Sequence, residues 1–243
     1  MTTVFAPAKL TLSLAVTGVR PDGFHLIDAE MVSLDIADEI TIVDAPTTTI
    51  SVTGPYASGV PTDASNIVHS ALALCGRTAH VSIVKNIPHG GGLGGGSTDA
   101  AAVLRWAHFT DVALSATVGA DVPFCLVGGR AQVSGIGEIV TPLPFEEKKV
   151  TLFIPPIHVS TPAVYRAWDA LGGPKGGQGN DLEPAAIHAF PELGQWKKAI
   201  EKATQQSPLL AGSGATWFVL GHTQLDSAQL AGVQVVYTTT RPQ

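Results

Sequence analysis

Pro88-His89-Gly90-Gly91-Gly92-Leu93-Gly94-Gly95-Gly96-Ser97-Thr98-Asp99 is the stretch on which the fold reading turns. Six glycines in the seven positions Gly90–Gly96 let the backbone approach a bulky anion and take positive φ without a Cβ penalty. The apolar run Ala100–Trp106 follows at once, so a helix is expected over 97–107, with Ser97, Thr98 and Asp99 as cap or first-turn residues. Its unpaired N–H groups and dipole add to the glycine backbone, and His80–Val84 in front reads as a strand. Strand, glycine turn and helix start together predict a phosphate cradle. A flexible linker would have polar flanks, and this run has Val81–Val84 and an apolar helix.

Two better-known phosphate loops fit less well. Gly90-x-Gly92-x-x-Gly95 meets the dinucleotide pattern, but no parallel strand with an acidic ribose ligand follows at the usual distance. Gly91 to Ser97 approaches the Walker pattern, yet Ser97 stands where its lysine must be, which excludes the P-loop.

Outward from the turn, Leu10–Val16 begins with the alternation of a half-buried strand, and Arg20-Pro21-Asp22-Gly23 is turn chemistry. Residues 26–34 and 39–43 read as two further strands, 49–52 as a short one, and Asn66–Leu74 as a helix stopped by Gly76. Residues 130–140 suggest a hairpin around Gly135 and Gly137. The charged Glu146-Glu147-Lys148-Lys149 marks the expected boundary between domains 1–148 and 149–243. Beyond it come strands at 150–154, 216–220 and 233–238, helices near 161–171 and 192–203, and a loose Gly-rich stretch at 172–180.

Bulk properties narrow the classes. A net charge of −6 argues against a general nucleic-acid binder, without excluding an anionic ligand held by local N–H groups. Cys75 and Cys125 lie far apart without metal spacing and read as small buried hydrophobes; the histidines show no metal-type spacing either. No basic-then-apolar leader and no run of about 18 apolar residues is seen, so a soluble, cytoplasmic protein without membrane contact is expected.

Three segments read together identify a resemblance. Pro7-Ala8-Lys9-Leu10-Thr11-Leu12, the glycine turn, and Ala211-Gly212-Ser213-Gly214-Ala215-Thr216 resemble, in order and spacing, three motifs of the GHMP kinase superfamily. Further segments resemble the branch whose alcohol substrate carries a cytidine diphosphate, in the non-mevalonate route to isoprenoids. They are Arg20-Pro21-Asp22-Gly23-Phe24-His25, Gly119-Ala120-Asp121-Val122-Pro123, Gly135-Ile136-Gly137-Glu138 and Val159-Ser160-Thr161-Pro162-Ala163-Val164-Tyr165. The resemblance implies an α+β fold of two domains, ribosomal-protein-S5-like then ferredoxin-like.

It also implies an ATP-dependent kinase using Mg²⁺. Lys9 and Asp121 would be catalytic, with Asp121 accepting the proton of the substrate hydroxyl. Gly90, Gly91, Gly92, Leu93, Gly94, Gly95, Gly96, Ser97, Thr98 and Asn66 would bind ATP, and Asp99 would make only indirect metal or water contact. Thr11, Phe24, His25, Asp121, Tyr165, Gly212, Ser213 and Gly214 would bind substrate, Phe24 and Tyr165 by stacking on cytosine; no direct metal ligand is assigned. The residues alone leave open that Lys9 snorkels to solvent, that Asp121 caps a turn, and that Asn66 is a plain N-cap.

Two departures from the family pattern stand out. Thr11 replaces an asparagine of the strand motif, and the connection Ala107–Ala120 is short, where displacing Asp121 by ~1 Å would cost ~10²-fold in rate. They keep a catalytically silent nucleotide-binding homologue in view, beside a separate alternative, a kinase for homoserine, a sugar or a mevalonate derivative.

Overall fold

The computed structural model describes residues 1–88, 91–177, 179–223 and 230–243. Its strands are β1 (Thr2–Val19), β2 (His25–Asp44), β3 (Thr49–Thr53), β4 (Ala79–Val84), β5 (Arg130–Gly135), β6 (Ile139–Pro142), β7 (Lys149–Ile154), β8 (Leu209–Leu210), β9 (Trp217–Leu220) and β10 (Gln234–Arg241). The helices are α1 (Ile67–Leu74), α2 (Gly95–Trp106), α3 (Val112–Ser115), α4 (Val122–Val127), α5 (Thr161–Ala170), α6 (Glu183–Ala189) and α7 (Pro191–Thr204). No helix among the described residues is long and apolar enough to cross a membrane.

β2 organises the sheet. It pairs antiparallel with β1, β4, β5 and, at Leu34 and Ser33, with β10. β10 in turn pairs with β7, which pairs with β9, so the described strands form one connected sheet. The only parallel pair in it is β3 with β4.

The expected strands 26–34 and 39–43 are one strand. Asp35 and Asp38, which suggest a break, are carried through by partners from elsewhere. The Thr238 hydroxyl and the Thr239 N–H donate to Asp35, while Lys85 and the Asn86 and Ile87 N–H groups donate to Asp38. A buried polar group costs little once it is hydrogen-bonded, so the strand continues.

The larger apolar cluster joins the sheet face carrying Ile40, Ile42, Val81 and Ile83 to Leu72 of α1 and Leu104 of α2. Leu152 and Phe218 join Leu10 and Leu34 in a second cluster shared by β1, β2, β7 and β9. Burying each such side chain contributes about 1.5–3 kcal/mol over leaving it exposed. Cys125 is buried in the larger cluster, where burial pushes its thiol up to about 12, and Cys75 is half-buried; both are free. The glycine turn follows β4 and leads directly into α2.

Candidate active site

α2 begins two residues earlier than the sequence suggests. Its N-cap is Gly94, left-handed at φ 69°, so Ser97 and Thr98 lie inside the helix and Asp99 beyond its first turn, and none of them is the cap. Glycine is required here because a Cβ would stand 2.6 Å from Lys9 Cγ. The Lys9 N–H donates to the Leu93 carbonyl at 3.0 Å, which ties the turn to β1.

In β1, Lys9 and Thr11 are two residues apart and share a face, while Ala8 and Leu10 enter the second core cluster on the other. The β1–β2 register shifts on both sides of this pair, between Pro7 and Lys9 and between Thr11 and Ser13. Such irregularities re-aim side chains beside functional sites. Lys9 Nζ lies 3.1 Å from Asp121 Oδ2 and donates to Thr11 Oγ1 at 3.2 Å. Asp121 precedes α4 with its side chain 34% exposed. Lys9 is therefore not snorkelling, and a buried ammonium meets a carboxylate open to solvent. The short 107–120 connection, with the single turn α3 inside it, still delivers Asp121 to Lys9.

A cavity of about 230 Å³ opens over this pair. Its wall includes Gly92, Ser97, Thr11, His25, Tyr165 and, from the second glycine loop, Gly212 and Ser213. The two loops are in contact, since a Cβ on Gly92 would meet the Ala211 carbonyl at 2.6 Å and the Gly214 carbonyl at 3.0 Å. With φ 78° as well, Gly92→Ala is expected to cost about 1–3 kcal/mol of stability and to weaken nucleotide binding. Thermal unfolding and nucleotide titration of that variant check this; wild-type values in both would show that the loops can separate. The Asn180 amide donates to the Leu210 and Gly212 carbonyls at 2.8 Å each and so holds the second loop in place.

Tyr165 stands 4.6 Å from the His25 ring, and burial, helped by the Asp121 charge, pushes its hydroxyl up to about 12. His25 Nε2 is 2.7 Å from Asp169 Oδ1, a contact that bridges the start of β2 and α5. Phe24 is not brought in. It is 57% exposed on the turn with the Arg20 guanidinium 5.9 Å over its ring, because His25, one residue later, takes the inward position at the start of β2.

A second cavity, about 290 Å³, lies beside the same helical turn, lined by Asn66, Lys85, Gly96 and Asp99 among others. Asn66 is both cap and wall: its amide oxygen accepts from Val68 N–H, and its NH₂ donates to the Pro61 carbonyl. Thr98 reaches neither cavity; it is buried, and its hydroxyl donates to the Pro7 carbonyl at 2.6 Å. Gly90 lies outside the described residues.

Asp99 has a role unlike the expected indirect metal contact. Lys85 Nζ bridges Asp38 and Asp99, lying 2.7 Å from Asp99 Oδ2, and all three side chains are at least 96% buried. Burial, opposed by Lys85 and reinforced by the Asp38 charge, pushes the Asp99 carboxyl up to about 8. Its Oδ1 has no hydrogen-bond partner among the described residues. Sequence reasoning missed Lys85, Asp38, Asn180 and Asp169; the one available signal was a lysine directly after the apolar strand His80–Val84.

Residues 63–129 match the family described as GHMP kinases N terminal domain. A 4-diphosphocytidyl-2-C-methyl-D-erythritol kinase of Paracoccus denitrificans is 40% identical over 93% of this chain and 91% of its own. The chain belongs to the 4-diphosphocytidyl-2-C-methyl-D-erythritol kinase family. A relative of that name from Roseobacter denitrificans is 35% identical over 94% of this chain and 87% of its own. The crystal structure of a 4-(cytidine 5'-diphospho)-2C-methyl-D-erythritol kinase superposes with a TM-score of 0.79 at 30% identity, covering 100% of both chains. A mevalonate kinase structure, at 11% identity and a TM-score of 0.61 over 100% of both chains, shares the fold. The α+β fold of this family is therefore the fold of the chain, and the family's enzymes are kinases.

Proposed function

We propose that this chain transfers the γ-phosphoryl group of ATP to the 2-hydroxyl of 4-diphosphocytidyl-2-C-methyl-D-erythritol. The observation that carries the reading is the Lys9–Asp121 pair, 3.1 Å apart, in a cavity walled by both glycine loops. Phosphoryl transfer asks the protein chiefly to position the reactants and stabilise charge. Asp121 takes the proton of the attacking hydroxyl. Lys9 holds that carboxylate ionised and neutralises charge growing on the phosphoryl oxygens.

The polyphosphate rests on the backbone of Gly91–Gly96 and the start of α2, with Ser97 as the hydroxyl donor. The base occupies the cavity beside Asn66 and Lys85. The cytidine end lies toward His25 and Tyr165, whose rings offer stacking area at small entropic cost. Thr11, spent on Lys9, replaces the longer amide of the family pattern and makes a shorter substrate contact.

Among the described residues no group of three acidic, histidine or cysteine side chains could hold a metal, and Asp99 is committed to Lys85. Such a donor set fits a magnesium that arrives on the nucleotide, keeps most of its waters and takes at most the Ser97 hydroxyl. Magnesium would supply neutralisation of the phosphate charge. We further assign residues 1–148 to the nucleotide-side domain and 149–243 to the domain that closes over the substrate.

The reading is tested by ADP release with the purified protein, ATP and Mg²⁺, offering the cytidylyl substrate beside homoserine, mevalonate and a hexose. Turnover is expected with the cytidylyl substrate alone, with inhibition by cytidine diphosphate. Turnover with another alcohol, insensitive to cytidine diphosphate, would overturn the substrate assignment.

A further inference from the structure

A third cavity, of about 170 Å³, shares no lining residue with either of the two already described. Its wall carries Arg105 from the last turn of α2, Arg241 from the end of β10, and Ser33 from β2, and it contains no acidic side chain. A water's share of liquid volume is about 30 Å³, so the space holds one phosphoryl group with attendant waters.

The three polar groups have donors to spare. Arg105 spends one N–H on the Cys125 carbonyl at 2.6 Å, and neither guanidinium is in an ion pair among the described residues. Ser33 is 94% buried; its hydroxyl oxygen accepts from Gly129 N–H at 3.1 Å, and its proton has no acceptor among the described residues. Burial, with the nearby Arg241 charge, pushes Arg105 below its ordinary range. Two cations and a buried hydroxyl donor line one space, with no acidic side chain in its wall. Arginine forks match the oxygens of phosphate or carboxylate, and both guanidinium groups are half-buried without an ion-pair partner among the described residues, so an anion there pairs both.

We propose that this cavity is a second anion site, which binds a phosphoryl group between Arg105 and Arg241 independently of the kinase site. Free phosphate and the terminal phosphoryl group of a larger metabolite present the same chemistry to it.

The test is thermal unfolding of the full chain with a saturating non-hydrolysable ATP analogue, so that the glycine turn is already filled. Inorganic phosphate, pyrophosphate and a simple phosphomonoester are titrated at constant ionic strength against chloride. A saturable rise of several degrees, about 4 °C or more, is expected with phosphate and none with chloride. A stronger response to the phosphomonoester than to phosphate would point to a larger metabolite as the source. Arg241→Met should weaken the response at least about tenfold, whereas Lys202→Met, on the exposed side of α7, removes the same charge and should leave it intact. Arg105→Met should behave like Arg241→Met; if it does not fold, Arg241→Met decides alone. No phosphate-specific rise in the wild type, as when Gln243 in the cavity wall fills the space itself, overturns the proposal. So does a rise that survives Arg241→Met unchanged.

Discussion

Asp121→Asn is expected to lower kcat by about 10³-fold while KM for ATP stays within about threefold. Asparagine keeps the shape of the side chain but can neither accept the hydroxyl proton nor oppose the Lys9 charge. Because Lys9 is buried and Asp121 is its ion-pair partner, the variant also leaves an uncompensated ammonium in the cavity. Lys9→Ala should fall to a similar level, for the opposite reason: the carboxylate remains, but nothing neutralises the phosphoryl oxygens. Groups that act as a unit are not additive, so the double variant should be no more than about tenfold worse than either single one. The measurement is ADP release at saturating substrate, with nucleotide binding followed separately. Asp121→Asn turning over within about tenfold of wild type would remove Asp121 from the proton-accepting role.

Lys85→Met should be the most destabilising single change outside the cavity over Lys9. It leaves the buried Asp38 carboxylate without its cation and Asp99 without its hydrogen-bond donor. Breaking a buried ion pair from one side costs about 3–5 kcal/mol. For a chain of this length that corresponds to a fall of roughly 6–20 °C in Tm.

Asp99→Asn separates the parts of the effect. It keeps the Lys85–Asp38 pair and should cost far less. It should also flatten the pH dependence of the wild type. The carboxyl is pushed up from 3.8 to about 8, so between those values the folded chain holds a proton that the unfolded chain releases. That stabilisation is complete below about pH 4 and is lost as pH rises through about 8. Denaturant unfolding of the three proteins between pH 5 and about 9 reads these differences. If Lys85→Met unfolded within about 1 kcal/mol of wild type, the triad would not be a determinant of stability.

What the sequence disclosed and what it hid follow from how far each partner lies along the chain. The glycine turn announces itself because backbone freedom is written in one residue type, and Lys9 is conspicuous as a charge inside an apolar strand. Asp121 became legible through its neighbours Gly119-Ala120 and Val122-Pro123. Asp38 and Lys85 did not, because a buried triad depends on a partner 47 residues away. That distant lysine is also why the two expected strands are one: Asp35 and Asp38 look like surface residues until Thr238 and Lys85 are placed against them. Thr98 misled for a related reason. A hydroxyl at a helix start suits a phosphate, and only the fold reveals the Pro7 carbonyl that occupies it. Asn180 shows its local turn, with its oxygen accepting from Leu182 N–H, but not the loop that its NH₂ anchors some thirty residues on.

The cavities on either side of the start of α2 have no lining residue in common: Ser97 faces the one, Gly96 and Asp99 the other. On the proposed assignment, the base and the cytidine end occupy separate cavities and the two reactants meet only at the phosphates. Loading in either order is then open to the enzyme, and a compulsory sequence would have to come from movement of the second glycine loop. A single inhibitor meant to occupy both chambers would have to cross the helix start itself at Gly94, against which the Lys9 side chain packs.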